Sequence, residues 1–186
     1  MSWDRALFAL FDDLEQQAEG LALVARDAEV AEHGRAEYAA VDLESRVHGS
    51  VGAVVTCDVL GGRRLHGAVA RAGRDWLLLE PDAAAGDARA SWVVHLSCVT
   101  RISGLGPRAV PEGSRGVVAR LGLGSVLRRL AESREPTVLA LADGTQVRGR
   151  VGRIGADFVE VLGDQRAGAA EADLVALSAV AALRGL

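Results

Sequence analysis

The sequence lacks lysine, is poor in aromatic residues and contains only two cysteines and four prolines. All 21 basic residues are arginine, and only 4% of the 186 residues are aromatic, so the core has to be built from Val, Leu and Ala. This composition is typical of a high-GC genome and does not indicate a function. A hydrophobic fraction of 49% with a net charge of −4 excludes a disordered chain.

No segment predicts export or membrane insertion. Asp12 and Asp13 end the first apolar run too early for a signal peptide, and no stretch reaches about 18 uncharged apolar residues. Cys57 and Cys98 are too few for a disulfide framework in a chain of this length. We therefore expect a cytoplasmic protein with reduced thiols and no membrane partner.

The charge is distributed unevenly along the chain. Residues 1–46 contain 4 Arg and 11 acidic residues, a net charge of −7, whereas residues 47–186 contain 17 Arg and 14 acidic residues, a net charge of +3. Residues 3–46 are predicted to be helical, because an apolar stripe starting at Trp3, Leu7 and Leu10 has helical spacing. We favour packing of this stripe within the protein, with docking on a partner or a second copy as the alternative.

An internal repeat occupies most of the remaining chain. Residues 57–79 match residues 139–161 at an offset of 82, and the final segments match at an offset of 81. The matched pairs are Gly62 and Gly144, Gly67 and Gly149, Gly73 and Gly155, Asp75 and Asp157, Trp76 and Phe158, Leu96 and Leu177, and Val99 and Val180. Such self-similarity predicts two copies of one supersecondary unit.

Each unit is predicted to contain five short strands. In the second unit they cover 138–142, 147–151, 158–162, 174–177 and 180–183, and the last two strands of the first unit cover 92–96 and 99–102. Asp143-Gly144 and Gly61-Gly62 are predicted hairpin turns, while Gly67 and Gly149 fall where a strand bends. Five short, bent strands in each unit predict a small barrel.

The last two strands of each unit are so apolar that, if unpaired, they would form aggregation-prone sheet edges. A short helix is predicted before the second unit, with Ser125 as its N-cap. Asp75 and Asp157 are predicted to cap backbone N–H groups in equivalent turns.

The segments PTVLALADGTQVRGRV (136–151) and GADFVEVL (155–162) resemble the first Sm motif and that of the bacterial Sm-like RNA chaperone. The resemblance covers 125–186 well and 41–105 less well, and it implies an Sm-like, SH3-like small barrel. Because Sm-like subunits assemble by joining the fourth strand of one barrel to the fifth of the next, the resemblance also implies that the two units pair through their last strands, within the chain or between chains. Where the family has an RNA-contacting Asn, this chain has Leu78 and Glu160. Because the family's RNA-contacting residues are replaced, the resemblance supports the architecture and not the RNA site.

The predicted fold class is therefore α+β: N-terminal helices followed by two small five-stranded Sm-like (SH3-like) β-barrels. The predicted domains are an acidic helical segment at 1–47, a first barrel at 48–105, a linker with a short helix at 106–135, and a second barrel at 136–186. Residues 106–116 contain two of the four prolines, which is typical of a linker.

No catalytic constellation stands out in the sequence. Cys57 and Cys98 align with Leu139 and Ala179, so we interpret them as buried structural thiols, although a catalytic Cys-His pair with His66 or His95 is the alternative. Gly122 and Gly124 form an incomplete dinucleotide fingerprint, which we interpret as the lead into a helix. No catalytic residue, cofactor, metal or small-molecule substrate is predicted.

The strongest candidates for nucleic-acid binding are arginines in equivalent places of the two units, with two aromatic residues that could stack on bases. The candidates are Arg63, Arg64, Arg71, Arg74, Arg148, Arg150, Arg153, Trp76 and Phe158. A solvated polar face and two core aromatics are the structural alternative. We predict a non-enzymatic binding or assembly module that engages a protein partner or itself, with RNA or DNA binding as the alternative.

Overall fold

The computed structural model describes residues 16, 17, 19, 20, 26, 29, 31–81, 90–163 and 172–186. The chain divides into two compact units, Met1–Val41 and Asp42–Leu186. In the first unit, residues 31–39 are helical, which confirms that part of the predicted N-terminal helix. Trp3, Leu7 and Leu10, which begin the apolar stripe, lie outside the described residues.

The second unit consists of ten strands and two short α-helices. Helix α1 is Leu43–His48, and its N-cap Asp42 accepts a hydrogen bond from the Ser45 backbone N–H at 2.6 Å. Helix α2 is Leu123–Ser133. The strands are β1 Val54–Val59, β2 Arg63–Ala72, β3 Trp76–Glu80, β4 Trp92–His95, β5 Val99–Ser103, β6 Pro136–Leu141, β7 Gln146–Ile154, β8 Phe158–Leu162, β9 Ala172–Ala176 and β10 Val180–Gly185. The strand positions expected from the sequence are confirmed.

The strands form one ten-stranded antiparallel sheet in the order β5-β1-β2-β3-β4-β10-β6-β7-β8-β9. The predicted fold class, with N-terminal helices followed by two closed five-stranded Sm-like (SH3-like) β-barrels, is therefore wrong. The reason is the pairing of β4 with β10, in which Val94 lies opposite Ala182 and Val93 opposite Leu183. This ladder joins the two five-stranded halves, which we call the first half (β1–β5) and the second half (β6–β10).

The two halves also share their cores. Trp76 from β3 packs into the core of the second half with Leu127 and Leu139, while Ala140 and Ala182 from the second half pack into the core of the first. Burial of side chains across the shared ladder makes the halves one body, because removing apolar surface from water is the main favourable term in folding. The β4–β10 ladder, which we call the seam, confirms the expectation that the two units pair through their last strands.

The internal repeat is confirmed by hydrogen bonds that recur in both halves. The Leu96 N–H donates to the Asp75 carbonyl at 2.8 Å, and the Leu177 N–H donates to the Asp157 carbonyl at the same distance. The strand register also repeats, since Ala72 lies opposite Leu77 and the equivalent Ile154 lies opposite Val159. Positions matched by sequence are therefore matched in three dimensions.

Gly144 and Gly67 illustrate why glycine recurs in the repeat. Gly144 has φ of +92° in the β6–β7 turn, a conformation that residues with a Cβ rarely adopt. At Gly67, in the middle of β2, a Cβ would lie 2.3 Å from the Glu80 carbonyl oxygen, and at Gly149 it would lie 2.3 Å from that of Leu162. The mid-strand glycines thus permit close approach of neighbouring backbones.

Helix α2 begins at Leu123, two residues before Ser125. The prediction of Ser125 as its N-cap is therefore wrong. Gly122 occupies the N-cap position and has no side chain to supply the capping bond. Asp75 of the first half supplies it instead, since its Oδ1 accepts a hydrogen bond from the Leu123 N–H at 2.6 Å. Trp76 Nε1 donates to the Leu121 carbonyl at 2.9 Å, so two consecutive residues of the first half hold the start of α2.

The segment predicted as a linker is held against α1 by a buried arginine. The guanidinium of Arg115 forms an ion pair with Glu44 and donates to Ser45 Oγ at 2.8 Å and to the Val110 carbonyl at 3.1 Å. The Arg115 side chain is almost completely buried. The predicted boundaries 1–47, 48–105, 106–135 and 136–186 stay a prediction.

Candidate assembly edges and arginine surface

The seam is secured by side chains as well as by backbone pairing. Nδ1 of His95 donates to the Val180 carbonyl at 3.0 Å, and the Cys98 thiol lies 3.6 Å from the same oxygen. The Arg184 guanidinium lies 5.4 Å from the centre of the Trp92 ring, and that of Arg63 lies 5.2 Å from it. These cation–π contacts connect β2, β4 and β10.

The two outermost strands of the sheet have only one neighbour each within the described part of the chain. β5 pairs with β1, and β9 pairs with β8. By the repeat, β5 corresponds to β10 and β9 corresponds to β4, which are the two strands of the seam. The molecule therefore presents, on opposite sheet edges, the two strand types that pair with each other inside it.

Apolar side chains are exposed beside the β9 edge. Leu174 on β9 is 67% exposed and Phe158 on β8 is 36% exposed. Their counterparts in the first half are Val93, which packs against buried core residues, and Trp76, which is only 7% exposed. Side chains that are covered near the seam in the first half therefore have exposed counterparts near the β9 edge in the second half.

The predicted arginines separate into paired and unpaired side chains. Arg64 forms a two-pronged salt bridge with Asp58 at 2.6 and 3.2 Å, and Arg153 forms one with Glu160 at 2.9 and 2.8 Å. These hydrogen bonds lower the pKa of both carboxyl groups. Arg64 and Arg153 are therefore already engaged by carboxylates of their own chain.

Four of the predicted arginines have no acidic partner among the described residues and are exposed: Arg71, Arg74, Arg148 and Arg150. Arg148 and Arg150 project from one face of β7, since alternate residues of a strand share a face. The remaining arginine, Arg63, is half-buried over Trp92. The predicted arginines therefore differ in their availability to phosphate, and Arg148 with Arg150 is the exposed pair that shares a strand face.

The two predicted aromatic residues lie in different surroundings. Trp76 is buried in the core of the second half and its indole N–H is bonded to Leu121, so its ring is not available to a base. Phe158 lies at the start of β8 and is partly exposed. Sequence reasoning missed Trp92, Arg184 and Leu174, whose roles depend on the seam and on the outer edges.

Both cysteines are buried, as expected from their apolar counterparts. Burial raises the pKa of the Cys57 thiol to about 11 and also raises that of Cys98. The reactive form of cysteine is the thiolate, so both thiols are poor nucleophiles at neutral pH. Neither thiol has the lowered pKa of an activated cysteine, so the alternative of a catalytic Cys-His pair gains no support.

Ser97 and His95 are the closest arrangement to a hydrolytic pair. Ser97 Oγ lies 3.2 Å from both ring nitrogens of His95, so the distances single out neither nitrogen as its hydrogen-bond partner. In the described part of the chain, no three His, Cys, Asp or Glu side chains are grouped as metal ligands. No helix among the described residues is long and apolar enough to cross a membrane.

Comparison with known proteins adds no family. The chain matches no protein-family model, and a search of curated proteins gives no significant match.

Proposed function

We propose that this chain is a non-enzymatic assembly module in which β9 of one copy pairs with β5 of a second copy. The observation that carries the proposal is the seam, an edge-to-edge ladder between the same two strand types inside one chain. The proposal extends the resemblance to Sm-like proteins, whose subunits join a fourth strand to a neighbour's fifth. A protein that offers either strand type is the alternative partner.

The seam specifies a register for the contact between copies. Val94 pairs with Ala182 and Val93 with Leu183 at the seam. Substituting the repeat equivalents places Val175 opposite Arg101 of the second copy and Leu174 opposite its Ile102. Leu174 would then be covered by an apolar neighbour, as Val93 is covered by Leu183.

Charge supports the same register. Asp173 lies two residues from Val175 on β9 and shares its strand face, so it would lie diagonally across from Arg101 of the second copy. Diagonal neighbours in an antiparallel pair are about 7–8 Å apart, which a long arginine side chain can span. The contact therefore combines a leucine–isoleucine pair with an ion pair.

The contact between copies is expected to be weaker than the seam. The seam bonds of His95 and Cys98 have no equivalent at the outer edge, because Ala176 and Ala179 occupy those positions. Two unlike edges make a head-to-tail contact, which produces closed rings or open filaments. We therefore expect an association that depends on protein concentration.

Sedimentation of the full chain tests the proposal. The wild type is expected to sediment above the 19.4 kDa monomer at high concentration, whereas Leu174→Lys is expected to remain monomeric. Val117→Lys is the matched control, because Val117 is 79% exposed and lies outside the strands. A wild type that stays monomeric, or an equal effect of both substitutions, would contradict self-assembly through β9.

Cross-linking tests the register. Leu174→Cys combined with Ile102→Cys is expected to form disulfides between chains, since directly opposed residues lie within disulfide distance. Leu174→Cys combined with Thr100→Cys is the control, because Thr100 is two residues out of register. Cross-linking of the control pair with equal yield would refute the register. Efficient capture of a different protein on β9, with no self-association, would favour the alternative partner.

Nucleic-acid binding is the second candidate function. Arg148 and Arg150 favour it, because they are exposed on one face of β7 and have no acidic partner in the described part of the chain. Contacts between arginine and phosphate release counterions, so binding of single-stranded RNA would weaken steeply with salt. Arg148→Gln with Arg150→Gln is expected to abolish such binding, whereas Arg64→Gln is the control because Arg64 is already paired with Asp58. No binding at low salt would eliminate this function.

A further inference from the structure

A groove of about 540 Å³ opens between the first half and α2. Its wall is mainly apolar and includes Trp76, Leu78 and Val93 from the strands. Arg71 and Glu80 bring opposite charges to its lining. The volume lies within the roughly 300–1,000 Å³ of small-molecule sites, which are typically apolar with a few polar groups.

In the second half, a carboxylate occupies the strand position that is equivalent to Leu78 of the groove. Arg153 on β7 is bonded by both prongs to Glu160 on β8. The repeat equivalents are Arg71 on β2 and Leu78 on β3, which lie directly opposite each other. In the first half, a leucine of the groove wall therefore replaces the carboxylate that pairs with arginine in the second half.

Arg71 consequently has a position for a carboxylate that no described residue fills. No carboxylate among the described residues lies within ion-pairing distance of its guanidinium. Glu80 follows Leu78 by two residues on β3 and makes no ion pair with Arg71. The other arginine of the groove, Arg129, is paired with Glu132 at 2.9 Å, so among the described residues Arg71 is the arginine of this groove that has no acidic partner.

We propose that this groove binds a small amphiphile that carries a single carboxylate. The carboxylate pairs with Arg71 as Glu160 pairs with Arg153, and the apolar body lies on Leu78 and Val93. A single negative charge fits best, because Glu80 repels a second one. The site is independent of assembly, since strands β2–β4 and helix α2 line it and the outer edges do not.

Binding of decanoate and of decanol to the full chain, measured by calorimetry, tests the proposal. Decanoate is expected to bind about tenfold more tightly than decanol, because a hydrogen bond to a charged group contributes more than a neutral one. Arg71→Gln is expected to remove this preference and leave weak binding of both compounds. Equal binding of the two compounds to the wild type, or no binding of decanoate, would overturn the proposal.

Leu78→Glu is the matched variant, since it introduces the residue that the second half carries at this position. Its carboxylate is expected to pair with Arg71 and to abolish decanoate binding without lowering the melting temperature. Glu80→Gln is expected to tighten decanoate binding by removing a like charge. Unchanged binding in Leu78→Glu would refute the site, whereas Leu174→Lys is expected to bind decanoate normally and so separates this proposal from assembly.

Discussion

Replacing Asp75 by alanine removes the cap that the first half provides to α2. The Asp75 carboxylate accepts a hydrogen bond from the Leu123 N–H at 2.6 Å, at the N-terminus of an 11-residue helix. Loss of an N-cap costs about 1 kcal/mol, and loss of a negative charge from the positive end of the helix dipole costs up to about 1 kcal/mol more. We expect the free energy of unfolding to fall by about 1–2 kcal/mol.

The repeat supplies a matched control for this prediction. Asp157 occupies the equivalent turn of the second half, and among the described residues its carboxylate makes no hydrogen bond to a helix. Asp157→Ala is therefore expected to change stability by less than about 0.5 kcal/mol, as for an ordinary surface position. Asp75→Asn is expected to lie between the two, because an amide oxygen still accepts a hydrogen bond but carries no charge.

Thermal unfolding followed by circular dichroism at neutral pH measures the difference. At about 2–4 °C per kcal/mol for a protein of this size, Asp75→Ala is expected to lower the melting temperature by about 2–8 °C. Equal effects of Asp75→Ala and Asp157→Ala would refute the capping role. It would then follow that the turn itself, and not the contact with α2, needs the carboxylate.

Three further predictions concern buried and titrating groups. Arg115→Gln is expected to destabilise the protein by about 3 kcal/mol in urea unfolding, because Glu44 loses its ion-pair partner and burial already raises the pKa of Glu44. An effect below about 1 kcal/mol would contradict this. Hydrogen bonds from Ser45 lower the pKa of Asp42 below 3.8, so its contribution to stability is present above about pH 3.8 and lost as the pH falls through its lowered pKa. Asp42→Asn should therefore be less stable than the wild type at pH 7 but not at pH 2, and a pH-independent difference would refute this. Cys57, with a pKa of about 11, is expected to react with a thiol reagent at pH 8 only as fast as the protein unfolds, and rapid reaction of the native protein would contradict its burial.

The strands and turns could be predicted from the sequence because their signals are local. Alternation of apolar residues and the glycine-containing turns at Gly61 and Gly144 place each hairpin within a residue or two, and β8 has the predicted bounds. Because of the internal repeat, the strand pattern could be predicted from two copies of the sequence. Burial of Cys57 and Cys98 could be predicted in the same way, since the repeat aligns each with a small or apolar residue.

The sequence could identify the candidate arginines, but it could not show which of them are paired with a carboxylate. Whether an arginine is available depends on the residue across the ladder, which is Asp58 for Arg64 and Leu78 for Arg71. Composition and spacing do not contain this information. Trp76 and Phe158 are matched in the repeat but differ in burial, because Trp76 packs in a cluster with Leu123 and Leu127 of α2.

The sequence alone determined the elements of this protein, because turn residues and hydrophobic alternation act over a few positions. Only the tertiary structure decided that the expected pairing of last strands forms within one chain, between β4 and β10, that Asp75 caps α2 across 48 residues of chain, and that ten strands form one sheet. Each of these depends on which surfaces meet once local structure has formed. An edge strand has the same pattern whether it is paired or free, so pairing is settled by the burial gained between distant segments and not by the residues of either strand.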